Sequence, residues 1–285
     1  MEKRQVNSGT LCVVGVPYGN LGDVTLRALD VLRAARVVAC EDTRQTSKLF
    51  DLLGLDKRDV QFVRHDKEVE RAGAAALVAK MVSGEDVVLV SDTGMPAVSD
   101  PGAALIAAAR AAGVPVDVVG AGTAVTHAVV GSGFEGGYVF LGFIPRKGKE
   151  REAVLARVAR EGLTCVLYES PNRVAVTVAD FSKMCGSERP AYVARELTKM
   201  HEEWLGATLG EIMAALEGRE VKGECVMIIG GEVEGDTGAL DVSDDDIKLR
   251  LAAGEKVKAV ADFVAMVSGI SRREAYTRVE GLKGE

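Results

Sequence analysis

A chain of 285 residues, 47% of them hydrophobic, is long enough for two ordinary domains and too apolar to be disordered. Its five cysteines form no CxxC pair and its three histidines lack metal-ligand spacing, so neither a disulfide framework nor a structural metal is expected. The net charge of −7 argues at first sight against nucleic acid, but seven acidic residues and no basic ones fall in the single stretch 231–246, and outside it the chain holds 35 residues of each sign.

Four of the cysteines sit in or beside apolar runs and read as small core residues in a reducing compartment. No apolar run approaches the roughly 18 residues of a membrane span. The N-terminal MEKRQVNSGT lacks the apolar centre of a signal peptide. A cytoplasmic protein with no membrane contact is expected.

The first part alternates strands with helices. Leu11–Val16 reads as a strand, and Thr25–Ala35 as a helix with Leu26, Leu29, Leu32 and Ala35 on one face. Val37–Cys40 is the next strand; Asp42 then caps a helix that Gly54 ends. Val60–Arg64 is a third strand, and Val69, Ala76, Leu77 and Met81 mark the third helix. Asp86–Ser91 is a fourth strand running into a turn-rich loop. There Asp100 reads as an N-cap and Pro101 as the first residue of a helix reaching Ala112. Val114–Val119 is the fifth strand. This alternation predicts a parallel five-stranded sheet with right-handed crossovers, an α/β domain over 1–121.

The second part, 122–232, is less regular. Thr123 caps a short helix ending near Gly131. Strands are predicted at Tyr138–Phe143, Leu163–Glu169, Ala191–Leu197, Glu202–Gly206 and Cys225–Ile229. Helices are predicted up to Glu161, over Asn172–Met184 and after Thr208. Strands outnumber helices, so a mixed sheet is expected, an α+β domain. Residues 233–246 read as an acidic linker, and 247–285 as a small, basic, helical module whose last helix starts at Ser271. That module reads equally as a nucleic-acid contact or as a solvated appendage.

Three glycine-rich loops follow predicted strands: GVPYGNLGD from Gly15, LVSDTGMPAVSDPG from Leu89, and GAGTA from Gly120. All three lie at carboxyl ends of parallel strands, on one rim of one sheet, where open α/β sheets bind ligands. None is a GxGxxG or a P-loop, so neither a dinucleotide nor a nucleoside triphosphate is signalled. The plainer reading is tight turns. Two further clusters, Tyr168–Arg173 and Arg195–Lys199, carry ionisable groups after strands. Glu169 and Glu196 read either as paired acid/base carboxylates or as partners of Arg173 and Arg195.

The strings GVPYGNLGD, EDTRQTSKLF, SDTGMPAVSDPG, GFIPRKGKER, YESPNRV, ARELTKMHEEWLGATLGE and KGECVMIIGG run along most of residues 9–231. Together they resemble the bacterial 16S ribosomal RNA cytidine 2′-O-ribose methyltransferases of the tetrapyrrole methylase superfamily, and the tail resembles a helical module found in many members. The resemblance implies two α/β domains of the tetrapyrrole methylase type, with S-adenosylmethionine between them, and a homodimer. It implies as substrate a decoding-region cytidine of 16S rRNA in the small ribosomal subunit. It puts donor contacts on Pro17, Tyr18, Gly19, Thr93, Gly94, Met95, Val98, Thr123 and Ala124, with Glu169 bordering the donor.

Two departures stand out: Tyr18 where members usually carry Ile, and GAGTA where they usually carry PGPSA, so that an Ala121 methyl is expected to crowd the donor. Methyl transfer to a ribose hydroxyl needs in-line approach and a nearby base. Glu169 and Asp100 are the candidates; N-cap duty would fully explain Asp100, and Glu169 is preferred. Asp42, Arg44, Arg195, Glu196 and Lys199 are expected to orient ribose or phosphate. RNA contacts are expected from Arg44, Arg146, Lys147, Lys149, Arg151, Arg173 and Lys199. The rival readings are a tetrapyrrole C-methyltransferase and a non-catalytic RNA-binding or ribosome-assembly module on the same fold.

Overall fold

Five short strands form the first sheet in a computed structural model that describes residues 8–231, 242, 244–252, 254–268 and 270–282. They are β1 (Leu11–Val14), β2 (Val37–Cys40), β3 (Gln61–Arg64), β4 (Val87–Leu89) and β5 (Val116–Val119), in the order β3-β2-β4-β1-β5. Every pairing is parallel, as expected. The crossovers carry helices α1 (Leu26–Ala34), α2 (Thr43–Leu52), α3 (Glu70–Val82) and α4 (Ala103–Ala111). Leu77, Met81, Leu105 and Ala109 cover one face of the sheet; Ala28, Leu32 and Phe50 cover the other. Burial on both faces is why β2 and β4 are continuously apolar, while the edge strands β3 and β5 carry Gln61, Arg64 and Asp117. On α3 the buried positions are Ala74, Leu77 and Met81, while the expected Ala76 is exposed.

The start of α4 differs from expectation. Gly102, not Asp100, is the N-cap, and the helix begins at Ala103 rather than Pro101. The acceptor comes from a distant element: Glu70, in the first turn of α3, takes the amides of Gly102 at 2.8 Å and Ala104 at 2.9 Å. With the orphan donors of α4 satisfied from outside, Asp100 is released from capping.

The second sheet is mixed, as expected. It contains β6 (Tyr138–Phe143), β7 (Thr164–Glu169), β8 (Ala191–Arg195), β9 (Glu203–Leu205) and β10 (Cys225–Ile229), in the order β6-β7-β10-β8-β9. Only β6 and β7 run parallel. Helix α5 (Ala124–Ser132), capped by a Thr123–Thr126 capping box, lays Val125 and Ala128 against Val166, Ala194 and Ile228. On the other face, α6 (Lys149–Arg160), α7 (Pro171–Cys185) and α8 (Leu209–Leu216) bury Leu155, Phe181 and Ile212. Both sheets belong to one unit, 1–231.

The second unit spans 232–285. Its described residues form α9 (Asp244–Ala252), α10 (Val257–Ser268) and α11 (Arg272–Gly281), packed around Ile247, Val260, Val264, Ala275 and Val279. Ser271 and Glu274 close a capping box at the start of α11. Residues 233–241 and 243 of the expected acidic linker lie outside the described residues. No helix among the described residues is long and apolar enough to cross a membrane, and no metal-binding cluster occurs among them.

Candidate functional site

The loops after β1, β4 and β5 leave three neighbouring strands, so their convergence follows from the strand order. The Val16 amide donates to Gly94 O at 2.9 Å, and the Gly15 amide to Val119 O at 2.9 Å, tying the three together. In the loop after β4, Ala97 (φ 64°) and Ser99 (φ 70°) adopt left-handed backbone that non-glycine residues rarely take. Such strain is held only where the surroundings over-determine it, and it clusters at functional sites.

These loops form one wall of a cleft of about 360 Å³. Tyr18, Thr93, Gly94, Met95, Val98 and Asp100 line it from the first sheet, with Thr123 and Ala124 from the start of α5. Phe143, Tyr168, Glu169, Glu224 and Val226 face them from the second sheet. Tyr18 is fixed across the divide, its hydroxyl 2.8 Å from His127 Nδ1 on α5. Burial pushes the Tyr18 hydroxyl pKa upward, with Asp23 and Glu202 adding to it.

The carboxylate of Glu169 is buried and engaged on both oxygens. Oε1 accepts from the Ser170 amide at 2.7 Å and pairs with Arg173; Oε2 accepts from Thr177 Oγ1 at 2.8 Å and lies 3.9 Å from Arg151. Of the two readings of Glu169, the ion pair is the one realised.

Glu196 is an ion-pair partner as well, but of Lys199 (2.9 Å), and it also accepts the Glu224 amide at 3.0 Å. Lys199 reaches Glu224 at 2.6 Å, so the pair holds Glu224 at the cleft edge. Arg195 pairs with Glu203 at 2.5 Å, and Arg219 pairs with the same carboxylate.

Asp100 is the exception. No hydrogen bond or ion pair engages it among the described residues, and it lines the cleft half-buried. Burial pushes its carboxyl up to about 6, with Glu41 and Asp92 adding to the effect against Lys67. A free carboxyl titrating near neutral pH is suited to proton transfer.

The remaining expected residues fall elsewhere. Pro17 is buried, and Gly19 is turned against Thr198, whose Oγ1 occupies the space a Cβ there would need. Ala121 faces Gly15, where a Cβ would lie 2.6 Å from its methyl, so this methyl meets the floor of the first loop. Asp42 caps α2 and pairs with Arg44 at 2.7 Å; the Arg44 guanidinium holds its carboxyl down at about 2. Arg44 itself is exposed in a shallow hollow with Ser47 and Lys48. Arg146, Lys147 and Lys149 are exposed.

Arg151, expected to contact RNA, has its side chain 12% exposed and committed to Asp180 at 2.8 Å and Thr177 at 3.0 Å. Phe143, Gly223, Glu224, Cys225 and Val226 also line the cleft and were not expected there, while Tyr168 comes from the cluster at the end of β7. A signal existed in the KGEC string, because β10 runs antiparallel to both β7 and β8. Its first residue, Cys225, therefore pairs with Glu169 on one side and Arg195 on the other.

Residues 10–213 match the family Tetrapyrrole (Corrin/Porphyrin) Methylases. The chain is 38% identical to the "Ribosomal RNA small subunit methyltransferase I" of Micromonospora olivasterospora over 96% of this chain and 88% of that one. It is 37% identical to the protein of the same name from Neisseria meningitidis, over 95% and 93%. Among solved structures, the methyltransferase CobJ superposes with a TM-score of 0.61 at 20% identity, covering 79% of this chain and 95% of that one. The uroporphyrin-III-C-methyltransferase of Thermus thermophilus superposes with a TM-score of 0.56 at 20% identity, covering 78% and 94%. At that identity these two structures speak for the fold alone.

Proposed function

Because the chain belongs to the tetrapyrrole methylase family, and within it to the ribosomal RNA small subunit methyltransferase I group, we propose that it transfers a methyl group from S-adenosylmethionine to the 2′-hydroxyl of a cytidine ribose in the decoding region of 16S rRNA. The observation that carries this reading is the cleft. The loops after three adjacent strands meet the second sheet around one unengaged carboxyl, Asp100, in a chain closely similar to rRNA methyltransferases along its length.

The cleft fits the donor by its chemistry. Its volume lies within the range of about 300–1,000 Å³ usual for small-molecule sites. Its walls combine apolar side chains (Met95, Val98, Val226) with the acidic Asp100 and Glu224. A sulfonium cation carrying an adenosyl group calls for both kinds of surface. When bound, S-adenosylmethionine supplies an electrophilic methyl.

The chain's own residues do the rest. Tyr18, Thr93, Gly94, Met95, Val98, Thr123 and Ala124 form the donor walls. Asp100 takes the hydroxyl proton as the oxygen attacks. Glu169, locked between Arg173 and Arg151, positions the Ser170 turn beside it and is not the base. Closing apolar surface around the reacting atoms excludes water and holds them at attack distance. Exposed Arg44, Arg146, Lys147 and Lys149 supply phosphate contacts. The working form is a cytoplasmic homodimer.

The test is labelled methyl transfer from S-adenosylmethionine to small ribosomal subunits lacking the modification, followed by mapping of the product. Label on a cytidine 2′-oxygen of 16S rRNA is expected. Label on no rRNA, with transfer to a tetrapyrrole or no donor binding at all, would overturn the reading.

A further inference from the structure

Beside the donor cleft lies a second hollow, framed by Phe143, Ile144, Pro145, Arg146, Ser170 and Arg173. Phe143 and Ser170 line both spaces. Phe143 is 61% exposed, unusual for a phenylalanine ending a strand, and its exposure has a built cause. Strand β6 pairs Phe140 with Val166 and Phe143 with Tyr168, leaving two residues of β6 opposite one of β7. This bulge turns on Gly142, whose φ of 68° few other residues tolerate. Bulges beside active sites re-aim side chains, and here the re-aimed side chain is the ring at the junction of the two spaces. The Tyr168 ring supports it edge-on, 5.2 Å between centroids. Gly142 also faces the donor loop, where a Cβ would lie 3.8 Å from Ser99 Oγ, next to Asp100.

Arg173 adds a second, independent observation. Its Nε donates to Ser170 Oγ at 3.1 Å, and its Nη2 to Ile144 O at 3.0 Å while pairing with Glu169. Its Nη1 is buried without a hydrogen-bond partner among the described residues. The guanidinium is thereby held in one orientation in the wall of the hollow, leaving Arg146 as the residue there free to meet an anion. Arg146 on the same hollow is exposed and makes no ion pair among the described residues.

Resting on the ribose methylation above, we propose that this hollow is the target-nucleotide subsite. The pyrimidine ring stacks on Phe143, the exposed Arg146 takes the adjoining phosphate, and the ribose is left at the mouth of the donor cleft near Asp100. RNA bases drawn out of their stack are commonly received on aromatic side chains, and a nucleotide must be drawn out for its ribose to enter a cleft. An apolar ring flanked by arginines matches a base flanked by phosphates. It does not match a tetrapyrrole ringed by carboxylates, which would need its positive charge around the cleft rather than beside it.

The experiment uses the full chain and small ribosomal subunits lacking the modification. Phe143→Ala is expected to lower kcat/KM for subunits by roughly tenfold to a hundredfold, the usual cost of losing one base stack. Because Phe143 also borders the donor cleft, the donor dissociation constant should change by much less than kcat/KM does, and Phe143→Trp should restore the rate. Arg146→Ala should reduce the salt dependence of subunit binding by about one phosphate contact. A Phe143→Ala enzyme with wild-type kcat/KM would overturn the subsite. So would a loss that follows weakened donor binding or a changed oligomeric state. If the wild-type chain labels no rRNA, the functional reading itself has failed and the subsite falls with it.

Discussion

Asp100 and Glu169 line the same cleft, yet Glu169 is bound on both oxygens by Arg173, Ser170 and Thr177, while Asp100 has no hydrogen bond or ion pair among the described residues. The difference separates two carboxylates that look alike in the sequence. Both oxygens of Glu169 are occupied by donors, so neither is free to receive a proton from a substrate. A free carboxylate raised by burial is ready to do so.

The first prediction follows. Asp100→Asn should lower kcat by about a hundredfold or more, the usual contribution of a general base, with donor binding preserved. The base must be deprotonated to act, and its carboxyl sits at about 6. The wild-type kcat/KM should therefore rise as pH passes upward through 6 and level off above it. This limb should vanish in the asparagine variant. A pH–rate profile of both enzymes decides the matter, and a limb that survives the substitution belongs to another group.

The same shift has a consequence for stability, opposite in sign to that of a salt-bridged acid. Folding raises the Asp100 carboxyl from 3.8 to about 6, so in this window the folded chain binds more protons than the unfolded one. Stability from this group accordingly falls as pH rises from about 4 to about 6 and is constant above. Asp100→Asn should be no more stable than wild type below pH 4 and more stable above pH 6. Melting curves at pH 4 and pH 7.5 test this; a variant less stable at pH 7.5 would contradict it. A stabilising change that abolishes turnover is the expected signature of a residue kept for chemistry.

Tyr18 carries the third prediction. Its hydroxyl bridges the two halves through His127 Nδ1 at 2.8 Å, and its ring meets the imidazole edge-on at 6.3 Å. Tyr18→Phe keeps the ring and removes the bridge. A hydrogen bond of this kind contributes about 1 kcal/mol net, so donor affinity should weaken roughly fivefold with kcat little changed. Isothermal titration with S-adenosylmethionine measures it. Equal affinity in the two proteins would mean that the bridge does not shape the donor wall.

What could be read beforehand tracks how local its cause is. Strands β6 and β10 begin and end where their apolar runs do, and Thr123, Thr208 and Ser271 cap the helices that follow them, because those signals lie within a few residues. The rim bearing the loops after β1, β4 and β5 was legible for the same reason. Asp100 was misread because its apparent duty had been taken by Glu70, thirty residues away in sequence and invisible to local rules. Arg151 was misread because a basic run says nothing about which of its members Asp180 will draw inward. Phe143 was passed over because its exposure depends on a bulge set by pairing with β7, and the roles of Glu169 and Asp100 separated only once their neighbours were in place.

The last prediction concerns the contact that released Asp100. Glu70 Oε1 accepts the amides of Gly102 and Ala104, anchoring the end of the donor loop to α3. Burial works to raise the Glu70 carboxyl, but the Ala104 and Gly102 amides outweigh it and hold the carboxyl below its ordinary 4.5. The depressed value means that stability from this contact is complete above pH 4.5 and is lost as pH falls through the lower, folded-state value. Glu70→Ala removes the cap of α4 and should cost about 1–2 kcal/mol at pH 7. The gap to wild type should narrow steadily below pH 4.5. Glu70→Gln keeps an acceptor but not the charge at the helix start, and should fall between the two. Both variants should also bind donor more weakly than wild type, since Ser99 and Asp100 hang from the segment that Glu70 fixes. Chemical denaturation at pH 7 and pH 3.5, with donor titration at pH 7, measures all of this. A stability gap that is the same at both pH values would show that the carboxylate is not what holds the loop.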